Sequence, residues 1–464
     1  MNTLLSSKFF TSIRNISLGK NEIQFGIISA TVLLSLVASY WGTQTILIGL
    51  IGAVLGIPVL LLLMKYPNLG YIFMLLGGWF VQAKGPGGFN LSILMAILMI
   101  VLWLMDMFIV KRRFEFLHSR TLRPAVIFMI VSVLAFALGQ ISWFSFANQA
   151  PLDAQVGGFA IYFFLLATMV MTANIIRDIR WLQAIVWTFV GLATIYVLGR
   201  MVQLSVIDKI YAYSVYANSM FWTWLVALPL GQAIFNGKLS VRNRVILFGI
   251  VGAAFYIAFV QQNDWKSGWV PPAVVLGTLL ALRFPRLALM AVPFAIIAAA
   301  ILAVDLISTD TYSWGTRVDA WLVVLDISRA SPLIGLGFAN YYWYAEVFTI
   351  RGYHIRFNSH SQFVDIIAQT GIIGLFCFFW VLFEVGRLAW NLMMKLPDGF
   401  ARGYAYSVFA GILGSLMAAF LVDWVLPFAY NIGLDGVRAS ILPWIFFGGL
   451  VAVEQIYAKQ LQAK

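Results

Sequence analysis

Apolar runs separated by short polar segments repeat along almost the whole chain. A hydrocarbon core about 30 Å thick takes roughly 20 apolar residues per helix, and windows of that length predict roughly 14 spans. They fall near 24–40, 43–64, 69–83, 90–110, 123–142, 157–174, 181–199, 215–236, 245–262, 269–283, 286–304, 361–386, 403–422 and 437–456. The third and tenth are short, so the expected fold is all-α and polytopic, with about 12–14 transmembrane helices. Backbone groups in lipid must bond internally, which selects helices for runs of this length.

One polar stretch is long, at 305–360. Within it, 313–327 reads as an amphipathic helix: Trp314, Val318, Trp321, Leu322 and Leu325 recur at spacings of three and four, with Arg317 beside the stripe. Two tryptophans on the stripe suit the membrane–water interface. Ser331-Pro332 ends the helix, and Gly335-Leu336-Gly337 permits a tight turn. The cluster Tyr341-Tyr342-Trp343-Tyr344 fits either stacking on sugar rings or an interfacial belt.

Composition agrees with the span pattern. Of 464 residues, 62% are hydrophobic and only 10% charged, against about a quarter charged in soluble domains. The charges that remain alternate between loops. Lys65, the group Lys111, Arg112, Arg113, Arg120 and Arg123, then Arg177, Lys238, Arg283 and Arg387 fall on one side. The positive-inside rule makes that side cytoplasmic, with both termini inside. Four parts follow: an amphipathic cytoplasmic surface segment at 1–22, eleven spans over 23–304, an external loop subdomain at 305–360 facing the periplasm or cell exterior, and the last spans with a cytoplasmic tail at 361–464. No cleavable signal peptide is expected at the N-terminus.

Cations on the translocated side run against that rule. Lys266, Arg317, Arg351 and Arg356 gather in the later half beside His354 and His360. Fixed positive charge near the membrane plane suits a diphosphate whose lipid tail lies in the bilayer, with arginine offering a planar fork and lysine a point charge. His360 stands where the long loop re-enters the membrane, and imidazole is the side chain suited to proton transfer near neutral pH. His118 falls in a basic cytoplasmic loop and reads as solvated. Asp365, just inside the following span, is a functional candidate as an intramembrane carboxylate, and pairing with an arginine is its structural alternative. No D-x-D pair and no His/carboxylate cluster at ligand spacing is present, and Cys377 stands alone in an apolar run. Neither a metal nor another cofactor is therefore expected.

These residues resemble the O-antigen ligase/polymerase superfamily of bacterial inner-membrane glycosyltransferases. Arg317-Val318-Asp319-Ala320-Trp321 is similar to the family's R-x-x-x-W segment, and 331–337 to its P-L-x-G-x-G stretch. Asn358-Ser359-His360-Ser361-Gln362-Phe363, followed by Thr370-Gly371-Ile372-Ile373-Gly374, resembles its HN-x-F…E-x-G-x-x-G signature. Ser361 stands where asparagine is usual, and Gln369-Thr370 replaces the acidic stretch. Tyr216-Ala217-Asn218-Ser219 is similar to a weaker P-N motif, and Asp264-Trp265-Lys266-Ser267-Gly268-Trp269 to an S-R-g-a-w element with lysine for arginine. That last exchange turns a bidentate phosphate contact into a monodentate one. The motifs span roughly 211–380.

The resemblance implies metal-independent, inverting transfer of a glycan from undecaprenyl diphosphate at the periplasmic face of the inner membrane. The acceptor hydroxyl belongs either to lipid A-core or to a second lipid-linked glycan. His360 and Arg317 are the implied catalytic pair. Lys266, Arg351, Arg356, His354, Asn218 and Asn358 are the implied substrate contacts. Membrane lipids are the expected surroundings, and nucleic acid is not an expected partner. Two rivals stand beside this reading: a polyisoprenoid-glycan flippase or other polysaccharide transporter, and a peptidoglycan-polymerase type of transferase relying on a carboxylate such as Asp319 or Glu346.

Overall fold

A computed structural model describes residues 56, 58–262, 264–290, single positions between 293 and 304, and 311–462. The expected segment 1–22, the first span, most of 43–64 and part of 286–304 lie outside these residues. The chain forms two compact units divided after Tyr66. The first is described only at its end, helical over 58–65.

Among the described residues, twelve principal helices build the second unit: α1 (Leu69–Phe80), α2 (Leu91–Met105), α3 (Arg123–Leu138), α4 (Leu152–Ile175), α5 (Ile179–Met201), α6 (Ser219–Phe235), α7 (Val241–Tyr256), α8 (Lys266–Arg283), α9 (Thr311–Ser328), α10 (Gln362–Lys395), α11 (Phe400–Leu421) and α12 (Gly433–Ile456). Single π-turns extend α2 over Asp106–Lys111 and α7 over Ile257–Gln261. Seven of the described helices are long and apolar enough to cross a bilayer, namely α2, α4, α5, α7, α10, α11 and α12, while α1, α3 and α6 are shorter apolar helices. The protein is an all-α polytopic membrane protein. The only described strands are β1 (Thr349–Ile350) and β2 (Tyr353–His354), a two-residue antiparallel hairpin.

The core sits around α12, whose apolar window is buried throughout and which packs most extensively on α4. Without a hydrophobic force between helices in lipid, small residues that admit close approach hold such a pair together. Gly448 does this: a Cβ there would collide with the Met169 carbonyl on α4. A second group packs α6, α8, α10 and α11 side by side.

Loops alternate between two ends of the bundle. At one end Gln82 Nε2 donates to Lys209 O (3.0 Å), Lys84 pairs with Asp435 (2.7 Å), Ala150 N donates to Asn340 Oδ1 (3.0 Å), and Trp343 Nε1 donates to the Tyr430 hydroxyl (2.7 Å). At the other, Leu117 N donates to Asn174 Oδ1 (2.8 Å), Arg120 pairs with Glu384 (2.8 Å), and Gly237 N donates to Asp398 Oδ1 (2.8 Å). The clustered cations Lys111, Arg112, Arg113, Arg120 and Arg123 belong to this second end.

Helix α10 is broken at Gly371 (φ 69°) into a half-helix over 362–370 and a long half beyond it. A break strips carbonyls and N–H groups of their partners, and these must be satisfied in a buried setting. The 332–337 turn supplies both kinds. Leu336 N and Gly337 N donate to Ala368 O (2.8 Å) and Gln369 O (3.2 Å), while Ile372 N and Ile373 N donate to Pro332 O (2.9 Å) and Leu333 O (3.2 Å). Gly335 (φ 81°) and Gly371 admit the approach, since a Cβ on either would overlap the other segment's backbone.

Candidate active site

The site is built at the first end of the bundle, where the 305–360 loop returns to α10. Helix α9 extends over Thr311–Ser328 and turns Ala320, Val324 and Ile327 into the protein. Val318, Leu322 and Leu325 of the expected apolar stripe face outward, so the stripe is not the buried face of the helix. Trp321 packs at the edge of a cluster containing Val324, Ile327, Leu336, Tyr341, Tyr344, Val364 and Phe428. This cluster welds α9, the aromatic segment, the start of α10 and the 422–432 loop into one body.

His360 rides on that body in the left-handed region (φ 49°), which costs about 1–3 kcal/mol for a non-glycine residue and must be held from outside. Four contacts hold it. His360 N donates to Asn358 Oδ1 (3.1 Å). Trp321 Nε1 donates to Ser359 O (2.6 Å). Ser359 N donates to the Tyr341 hydroxyl (3.4 Å). Ser359 Oγ donates to Asp365 Oδ1 (2.7 Å), which also accepts the Tyr341 hydroxyl. Phe357 meets the imidazole edge-on at 5.8 Å. Burial, and then the charge of Arg317, push the imidazole down to about 4, so it is neutral at physiological pH and able to accept a proton.

The remaining expected residues divide into three groups. Arg317 lies on α9 within electrostatic reach of His360. Arg351, at the tip of the hairpin (φ 50°), pairs with Asp319 (2.6 Å) and lies over Gly315, so its guanidinium rests on α9 on either side of Arg317 in sequence. Arg356 pairs with Glu346 (2.7 Å) and lies 3.6 Å over the Trp343 ring, while the exposed His354 Nδ1 is 3.1 Å from Glu346 O. These three sit on the same loop body as His360. Lys266 opens α8, where the neighbouring Trp265 meets Trp424 of the 422–432 loop with ring centroids 6.2 Å apart.

Asn218 and Asn358 are both buried. Asn218 caps α6 by accepting from Met220 N (2.8 Å) and donates to Ser440 Oγ (2.8 Å) and Gly436 O (3.2 Å), fully buried. Both ends of the Asn218 amide are engaged within the protein. Asn358 is buried beneath His360, and its amide lies beside Asp423, drawing that carboxyl down against a larger upward push from burial. It positions the turn and does not face outward. Cys377 is a buried free thiol, and His118 is exposed near the opposite end. No group of three or more metal-ligating side chains occurs among the described residues.

The sequence pattern gave no sign of the part Tyr341 plays. Tyr341 reads in sequence as one of four aromatics in a row, and only folding sets its hydroxyl between Asp365 and the Ser359 backbone. Asp365 was visible as an intramembrane carboxylate, but among the described residues its partners are hydroxyls and not an arginine. No family model matches the chain, and a search of curated proteins finds no relative.

Proposed function

We propose that the protein is a metal-independent, inverting glycosyltransferase of the O-antigen ligase/polymerase type, acting on a polyprenyl-diphosphate glycan at the periplasmic face of a bacterial inner membrane. The observation that carries this reading is a half-buried imidazole held in a left-handed turn within electrostatic reach of Arg317.

In the reaction, His360 takes the proton from the acceptor hydroxyl as its oxygen attacks the anomeric carbon. The bond between that carbon and the diphosphate oxygen breaks on the opposite face, which inverts the centre. The diphosphate departs with the bonding electrons, and Arg317 stabilises the charge that collects on it. A bound diphosphate also offsets the Arg317 charge felt by His360, so the imidazole becomes a better base once the donor is in place. Arg351 and Arg356 stand on the same loop body, each with a carboxylate partner that an anionic substrate must compete with.

One feature favours the transporter alternative: a discontinuous helix with a buried carboxylate near its break is an arrangement that transporters use to bind cargo. The test separates the two. Purified protein reconstituted in lipid vesicles receives a synthetic undecaprenyl-diphosphate glycan, with and without lipid A-core. Product that requires the core identifies a ligase, and a ladder formed without it identifies a polymerase. Intact donor in both, with donor moved across vesicles, supports the flippase and contradicts transfer.

A further inference from the structure

Asp365 bonds the residue before His360, and the proposed chemistry does not use it. It is fully buried in the first turn of α10. Its Oδ1 receives two hydroxyls, Ser359 Oγ (2.7 Å) and Tyr341 Oη, while its Oδ2 has no partner. Both hydroxyls belong to the turn or touch it. Ser359 is the residue before His360, its Oγ also accepts from Ser361 N (3.1 Å), and Tyr341 Oη accepts from Ser359 N (3.4 Å). A single oxygen therefore gathers the two groups that fix the peptide on the N-terminal side of His360. The other groups facing this pocket are Asp423 and Asn431 of the 422–432 loop, Asn358, and Tyr162 of α4.

We infer that Asp365 is a positioning residue for His360: through Ser359 and Tyr341 it sets the backbone turn that aims the imidazole, without itself meeting the substrate. A left-handed non-glycine residue relaxes when its clamp is removed. An ångström of misplacement at a proton-transfer group costs on the order of 100-fold in rate. The clamp stands on geometry alone, while its effect on turnover rests on the transferase reading above.

Two readouts test it. The first is independent of function: modification of each histidine by diethyl pyrocarbonate, located by mass spectrometry, with His118 and His354 as internal references. Asp365→Leu raises the His360 rate severalfold relative to both. The second is kinetic. Asp365→Leu lowers kcat roughly 10- to 100-fold with donor KM little changed. Asp365→Asn, which keeps an acceptor oxygen, recovers most of that loss. Ser359→Ala and Tyr341→Phe each remove one of the two hydroxyls on Asp365 with little volume change and give intermediate losses even if Asp365→Leu folds poorly. An unchanged His360 modification ratio, or a kcat retained in Asp365→Leu, overturns the inference. His360→Ala runs alongside: if it keeps transfer activity, the transferase reading fails, and the modification ratio still decides the clamp.

Discussion

At the scale of the residue, the account concentrates on one imidazole. General base catalysis contributes roughly 10²–10⁴-fold, so His360→Gln should lower kcat by that factor while leaving the protein's thermal midpoint nearly unchanged. The pH dependence follows from the environment. Because burial and Arg317 hold the free imidazole at about 4, kcat/KM should stay level through neutral pH and fall only in the acid range, as the ring gains a proton and can no longer accept one. Arg317→Gln removes the smaller of the two causes and should move that acid limb upward, with a lowered plateau from the lost charge on the leaving group. A limb that stays in place would show that Arg317 does not act on His360. The residue scale is also where the sequence was most legible. His360 and Arg317 stood out because a histidine and cations on a translocated loop break the composition of everything around them. The clamp was hidden, because Tyr341, Ser359 and Asp365 are ordinary residue types joined only by folding.

At the scale of the element, the broken α10 and the 332–337 turn form one unit. Glycine at Gly371 and Gly335 is required by positive φ and by backbone overlap. Gly371→Ala should destabilise the protein by about 1–3 kcal/mol, read as a lowered thermal midpoint in detergent. Gly277→Ala, in α8 with open space around it, should be neutral or slightly stabilising. Equal effects from the two would contradict the docked-break description. The sequence pattern located the span and the turn separately but placed the span as one helix over 361–386. Periodicity cannot register a break whose lost hydrogen bonds are replaced by a segment some 35 residues earlier in the chain. It also did not show which residues of α9 pack: Ala320, Val324 and Ile327 turn inward, while the apolar stripe expected at the membrane–water interface stays outward.

At the scale of the whole molecule, apolar spacing alone determined the class, because few charges interrupt the long runs. Charge alternation grouped the loops in the way their contacts group them in the structure. Which end faces out follows from the positive-inside rule and is open to direct measurement. A cysteine at Arg329, on the His360 end and 83% exposed in its side chain, should label with a membrane-impermeant maleimide in intact spheroplasts. A cysteine at Glu115, on the opposite end and exposed, should label only after permeabilisation. Cys377 is buried and should not interfere. The reverse pattern would place the histidine toward the cytoplasm and remove the site from its proposed substrate.

The most direct measurement is glycan transfer by purified protein and by His360→Ala, side by side, from a synthetic undecaprenyl-diphosphate donor with and without lipid A-core. The account predicts product from the wild-type protein without added metal, and a loss of roughly 10²–10⁴-fold in the variant. Transfer by the variant at near the wild-type rate, or no transfer by either, would contradict it.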